Sequence, residues 1–114
     1  MSLNELVKEA YCILKEHGFH EEDSARDIPI KLALIHSETS EALEHYRNGN
    51  NGHLLTTIWA DAKGKPDGFA IELADIIIRV ADLAGMFDID LDEAVQQKMD
   101  FNKNRPHKHG GKKC

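Results

Sequence analysis

Apolar residues recur at helical spacing through most of the chain, and four stretches carry the pattern. The first runs from about Ser2, a candidate N-cap, to His17, with Leu3, Leu6, Val7, Ala10, Ile13 and Leu14 on its apolar side and Gly18 as a stop signal. A polar stretch, His20 to Asp27, follows. The second helix is predicted from about Asp27, with Pro29 in its first turn, to the break at Asn48-Gly49-Asn50-Asn51-Gly52. Residues 53–68 are less regular: Leu54 to Ala60 suits a short helix, and Gly64-Lys65-Pro66-Asp67-Gly68 suits a turn. The third helix is expected over Phe69 to Ala84, ended by Gly85. The fourth is expected from Asp90 as N-cap to about Asn102, with Asp92 and Glu93 in its first turn. No period-two alternation is long enough to predict a sheet, so the fold class is all-α.

The third helix breaks the usual rule. An amphipathic surface helix has one apolar stripe and a broad polar face. Here Glu72, Asp75, Arg79 and Asp82 share one narrow stripe at about 100° per residue, and the rest of the girth is Ile, Leu, Val and Ala. Most of that girth is expected to be buried, so the acids look into a shared cleft. The second helix repeats the oddity. Glu38 and Glu41 fall on the side of Ile30 and Leu34, whereas Ser40, Glu44 and Arg47 mark the solvent side. Residues at i and i+3 are neighbours on a helix, so two facing pairs gather four carboxylates.

Four ionised carboxylates in a partly dry cleft repel one another, at several kcal/mol each if left without a partner. Protons or cations must neutralise them, and Arg79 brings one positive charge. Hard oxygen donors without cysteine suit Mg²⁺, with Mn²⁺ as the other candidate. A lone Glu-x-x-Glu is better read as surface acids in ion pairs, here Glu38 or Asp82 with lysines; two pairs on apolar-biased faces favour the metal.

Charge sharpens this picture. The net charge is −6, yet residues 1–97 hold 8 Lys+Arg against 19 Asp+Glu, and residues 98–114 hold 6 Lys+Arg against one acid, Asp100. An acidic body argues against nucleic-acid binding. Lys98, Phe101, Asn102 and Arg105 fall near one face of a continued fourth helix, and Lys and Arg are natural phosphate holders. A chain of 114 residues is one domain, read as residues 1–105 with a basic, flexible tail at 106–114. No apolar run reaches the roughly 18 to 20 residues that span a membrane, and the start carries no basic or apolar leader. Cys12 and Cys114 form no metal spacing and no disulfide framework, which fits a reducing cytoplasm.

The ordered set Glu38-x-x-Glu41, Glu72-x-x-Asp75 and Lys98-x-x-Phe101-Asn102-x-x-Arg105 resembles the MazG-like nucleotide pyrophosphohydrolases of the all-α NTP pyrophosphatase superfamily. The stretch Gly64-Lys65-Pro66-Asp67-Gly68-Phe69 and the close His109-Gly110-Gly111-Lys112 add to the likeness, which covers roughly residues 28–112. Phe101 stands where many relatives have Tyr, and the thirty residues between Glu41 and Glu72 are at the long end of the family's spacing. The resemblance implies a four-helix-bundle-type MazG-like fold that forms a homodimer or homotetramer. It implies Mg²⁺-dependent cleavage of NTPs or dNTPs between the α and β phosphates, giving monophosphate and pyrophosphate, as housecleaning of the nucleotide pool. By the same resemblance Glu38, Glu41, Glu72 and Asp75 ligate the metal, Glu38 or Glu41 handles the attacking water, and Lys98, Asn102 and Arg105 contact the substrate.

Trp59, the one tryptophan, is a candidate for stacking on the base, although a lone Trp in a small helical protein is more often core. His36 and His45 flank the acidic face of the second helix and either could touch the ligand, although a surface or satisfied-core histidine is the better reading of each. His107 and His109 lack the cysteine partners of a zinc site. Three rivals remain. A di-iron bundle normally uses Glu-x-x-His, and no glutamate here has a histidine three residues later. A non-catalytic helical interaction module with an acidic stripe predicts salt-sensitive binding and no metal requirement. A related hydrolase acting on a guanosine tetraphosphate-type signal keeps the chemistry and changes the substrate.

Overall fold

The computed structural model describes residues 2–18, 27–49 and 51–105. It is a mostly helical chain in which four helices pack together: α1 (Leu3–Glu16), α2 (Ile28–Arg47), α3 (Phe69–Met86) and α4 (Leu91–Lys103). The tail at 106–114, with His107 and His109, and most of the polar stretch before α2 lie outside the described residues.

Helix α3 is the centre, with α1 and α2 both packed on it. The seam with α1 is built from small residues. Val7 and Ala10 meet Ala81 and Ala84 in one buried cluster, flanked by Leu6 and Leu91. Small side chains let two backbones approach closely, and Gly85 shows how closely: a Cβ there would lie 2.6 Å from the Cβ of Tyr11. Gly85 is therefore not the stop that its residue type suggests. The helix runs through it to Met86, and the left-handed turn falls at Asp88, with φ of 52°.

The helix starts agree with the local signals. Ser2 Oγ accepts the Glu5 N–H at 3.1 Å, and Asp90 accepts the Glu93 N–H at 3.0 Å. These two caps are also joined across the fold. Asp92 accepts the N–H groups of Leu3 and Asn4 at 3.0 and 3.1 Å, while Asn4 donates to Asp90 at 2.9 Å and accepts from Leu91 at 3.0 Å. The first donors of α1 are thus met by the first turn of α4.

The segment between α2 and α3 departs from expectation. In place of a helix over 54–60 there is a 3₁₀ turn, Gly52–Thr56, followed by a two-stranded antiparallel hairpin, β1 (Trp59–Ala60) and β2 (Pro66–Asp67), with Trp59 opposite Asp67. The turn is tied by Asp61, whose carboxylate accepts the N–H groups of Lys63 and Lys65 at 2.8 and 2.9 Å and is held below the usual range by them. Strands of two residues are too short to show a period. Gly68, with φ of 128°, turns the hairpin into α3; a Cβ there would meet Thr57 O at 2.7 Å and the Trp59 ring at 3.1 Å.

The girth of α3 is less covered than its composition suggests. Leu73, Ile77 and Ile78 are exposed in the single chain, as are Ile30 and Leu32 on α2 and Val95, Met99 and Phe101 on α4. Among the described residues no helix is long and apolar enough to cross a membrane.

Candidate metal centre

The acidic face of α2 meets the acidic stripe of α3. Glu38 and Glu72 are both buried, at 9% and 8% exposure, while Asp75 is half-buried and Glu41 is exposed beside them. Ligand atoms of Glu38, Glu72 and Asp75 lie within 4.8 Å of one another. Glu41 interacts with the carboxyls of both Glu38 and Glu72, so the four acids read from the sequence form one group.

Their electrostatics differ. Burial pushes Glu38 up, but the Arg79 guanidinium, whose Nε donates to Oε1 at 2.8 Å, and hydrogen bonds with Glu41 and Glu72 together hold the carboxyl below its usual value. Glu72 is not held by Arg79; the basic group beside it is the His45 imidazole, 3.5 Å from Oε1. Burial, with Glu41 and Glu38 next to it, pushes its carboxyl up to about 7. Asp75 is raised by burial and by the charge of Glu38, against the pull of Lys65 and Arg79. Among the described residues, Glu72 Oε2 is the buried side-chain oxygen or nitrogen with no hydrogen-bond partner. A buried oxygen without a partner inside a group of carboxylates fits a hard cation, since the donor set around Glu38, Glu72 and Asp75 is all oxygen.

The fourth member of the stripe has a different fate. Asp82 is buried at 4% exposure and pairs with Lys31 of α2 at 3.7 Å. It belongs to the structural end of the helix.

Two residues outside the sequence-derived set join the cluster. His45 of α2 places Nε2 3.2 Å from Asp67 Oδ1 and 3.5 Å from Glu72 Oε1. His45, Asp67 and Glu72 form a second group whose ligand atoms fall within 4.8 Å. His45 lies four residues after Glu41, one turn along α2, and that spacing was a usable signal. Asp67 gave none, because it reaches the site only by the fold-back of the hairpin. Trp59 is half-buried against Gly68, with its ring edge-on to His45 at 5.7 Å and 74°, and so is a wall of the site. His36 is exposed.

Lys98 and Asn102 stand exposed on α4, which packs on α1; the helix ends at Lys103, so Arg105, also exposed, lies beyond it and not on a continued helical face. Both cations flank the Phe101 ring, at 4.9 Å for Lys98 and 5.9 Å for Arg105. Neither is among the groups that shift Glu38, Glu72 or Asp75. The single chain brings together the four acids, while Lys98 and Arg105 gather about the exposed Phe101 ring. No protein family, curated protein or solved structure was found to match the chain.

Proposed function

We propose that the chain is an Mg²⁺-dependent nucleoside triphosphate pyrophosphohydrolase that cleaves NTPs or dNTPs between the α and β phosphates. The observation that carries this reading is the buried, unpartnered Glu72 oxygen amid Glu38, Glu41 and Asp75. A protein that only needed acidity would leave Glu38 and Glu72 in water; here their burial costs stability that a bound cation offsets. The ordered motif set adds the substrate class by analogy.

In this reading Glu38, Glu41, Glu72 and Asp75 hold the metal. Bound Mg²⁺ supplies neutralisation of the triphosphate charge, polarisation of a phosphoryl oxygen and a lower pKa for water. Glu41, the solvent-facing acid, takes the proton of the attacking water. Glu38 suits that task less, since its hydrogen bond with Arg79 weakens its affinity for the proton. The water oxygen bonds to the α phosphorus, the bridging P–O bond to the β phosphate breaks, and pyrophosphate leaves with the bridging oxygen. Lys98, Asn102 and Arg105 hold phosphate or sugar, and Trp59 lines the base side. The exposed apolar residues of α3 and α4 fit burial in a homodimer or homotetramer, which would also bring an α4 of one copy near another.

The test is ion-exchange analysis of products after incubation with a panel of NTPs and dNTPs, with Mg²⁺ and with EDTA. Monophosphate and pyrophosphate, formed only with metal, are expected. Diphosphate and orthophosphate would overturn the α–β assignment, and absence of turnover of any nucleotide would overturn the activity.

A further inference from the structure

Glu72 belongs to two groups at once. On one side it joins Glu38 and Asp75; on the other it joins His45 and Asp67. The second group is chemically unlike the first, because it contains an imidazole nitrogen and is carried partly by the hairpin. We propose that His45, Asp67 and Glu72 form a second cation position, selective for a first-row transition ion, with the Glu72 carboxylate bridging it to the all-oxygen position.

Three observations support this. The first is spacing. Donors around an ion at about 2.0–2.2 Å stand about 3.0–3.5 Å apart along the edges of a tetrahedron or octahedron. His45 Nε2 lies 3.2 Å from the Asp67 oxygen and 3.5 Å from the Glu72 oxygen. A single Nε2–H cannot point well at two carboxylates, whereas one ion can accept all three donors.

The second is the bridging residue. Glu72 Oε1 faces His45, and Oε2 is buried without a hydrogen-bond partner. A carboxylate with one oxygen turned to each of two ions leaves neither oxygen unsatisfied, and Glu72 is 92% buried, since its exposure is 8%.

The third is that the donors are held from behind. Asp67 Oδ1 also accepts the Gly68 N–H at 2.8 Å. Gly68 leaves no room for a side chain against Thr57 O and the Trp59 ring, so β2 runs into α3 in close contact with both. Trp59 lies edge-on to the His45 ring and limits its rotation. Supports of this kind orient ligands at metal sites and exclude water. Imidazole favours zinc and its neighbours over Mg²⁺, which sets the selectivity of this position against that of the other.

Binding at this position is independent of whether a nucleotide is hydrolysed, and the test uses no nucleotide. In the full unsubstituted chain, ¹⁵N spectra of the histidine rings are followed during addition of Zn²⁺. The His45 Nε2 resonance is expected to shift on binding while His36 Nε2 stays in place. Mn²⁺ is then counted by the loss of its free paramagnetic resonance signal. Two ions per chain are expected, and one in His45→Ala and in Asp67→Ala, with affinity at the lost position down by at least about tenfold. An unshifted His45 ring, or two Mn²⁺ ions retained by both variants, would overturn the proposal. Mg²⁺-dependent hydrolysis beside an unshifted His45 would remove this inference alone; a shifted His45 in a chain that hydrolyses no nucleotide would support it and remove the proposed function alone.

Discussion

The two ends of α3 bury acids in opposite ways. Near its C-terminus Asp82 pairs with Lys31, and the adjoining seam of Ala81, Ala84, Val7 and Ala10 contains no orphaned polar atom among the described residues. Near its N-terminus Glu72 is almost as deeply buried, yet one of its oxygens has no partner and its carboxyl is pushed up to about 7. One helix thus carries an acid that helps hold the fold and an acid that costs it stability. The contrast separates, without reference to any relative, an acid paired with a lysine inside the fold from one that keeps a buried oxygen without a partner.

Changing each acid to its amide tests that contrast most strongly, because the two changes should act with opposite signs. Glu72→Gln should abolish the proposed Mg²⁺-dependent release of pyrophosphate, by at least about 100-fold, since about 1.4 kcal/mol of lost stabilisation is already tenfold. In metal-free buffer at pH 8 it should leave the thermal midpoint unchanged or higher. Asp82→Asn should leave Lys31 facing a neutral amide and destabilise by about 1–3 kcal/mol, discounted from the cost of breaking a fully buried pair because Lys31 is 17% exposed. Thermal melts of the two variants side by side decide it. Equal losses of stability would erase the distinction.

The seam itself should be intolerant of a single methyl group. Gly85→Ala would gain about 1 kcal/mol in helix propensity. The added Cβ, 2.6 Å from Tyr11 Cβ, forces the two backbones apart, and overpacking of this kind costs about 1–3 kcal/mol. A net fall in the denaturation midpoint is expected, and a rise would show that the α1–α3 contact is looser than drawn.

Acidity offers a way to load the site without substitution. A carboxyl whose folded pKa is raised makes the folded state bind a proton more tightly than the unfolded chain. For Glu72 the window runs from 4.5, the ordinary glutamate value, to about 7. Across it the unfolded chain holds fewer protons, so metal-free stability should fall as pH rises and level off above 7. Asp75 adds in the same direction above its ordinary 3.8. Glu38, lowered by Arg79, contributes stability that is already complete above 4.5 and fades only at more acid pH. A drop in melting temperature of several degrees between pH 5 and pH 8 is expected, at about 4–8 °C per kcal/mol, with most of it reversed by Mg²⁺ at pH 8. A clearly shallower profile in Glu72→Gln, with the part due to Asp75 remaining, would assign the effect; an equally steep one would place it elsewhere.

What the sequence disclosed follows the same division. Helix ends set by local chemistry, such as Ser2 and Asp90, were legible because a cap and its N–H are three residues apart. Glu38 and Glu72 were legible because acids on apolar faces break a periodic pattern. Gly85 was misread: the residue type signals a stop, and only the approach of Tyr11 from α1 explains its place inside a helix. The hairpin escaped notice because Trp59–Ala60 and Pro66–Asp67 are too short to alternate, and Asp67 was hidden with it. The exposed Leu73 and Ile77 show the limit of composition, which says that a surface is apolar and not what covers it.

The smallest effect expected separates local capping from the link between helices. Ser2 Oγ satisfies one donor, the Glu5 N–H, and nothing across the fold. Ser2→Ala should therefore cost about 0.5–1 kcal/mol, the lower part of the range for a lost N-cap. Asp92 receives two donors, Leu3 and Asn4, from a helix 88 or more residues away in sequence, with one carboxylate oxygen for each. Asp92→Ala removes both bonds and the tie between α1 and α4, so its loss should exceed that of Ser2→Ala in the same denaturant titration. Neither residue touches the carboxylate cluster, and the Mg²⁺ concentration that half-saturates each variant should match the unsubstituted chain. If Ser2→Ala weakened Mg²⁺ binding, the two ends of α3 would be coupled through the bundle, and the division between scaffold and site would have to be redrawn.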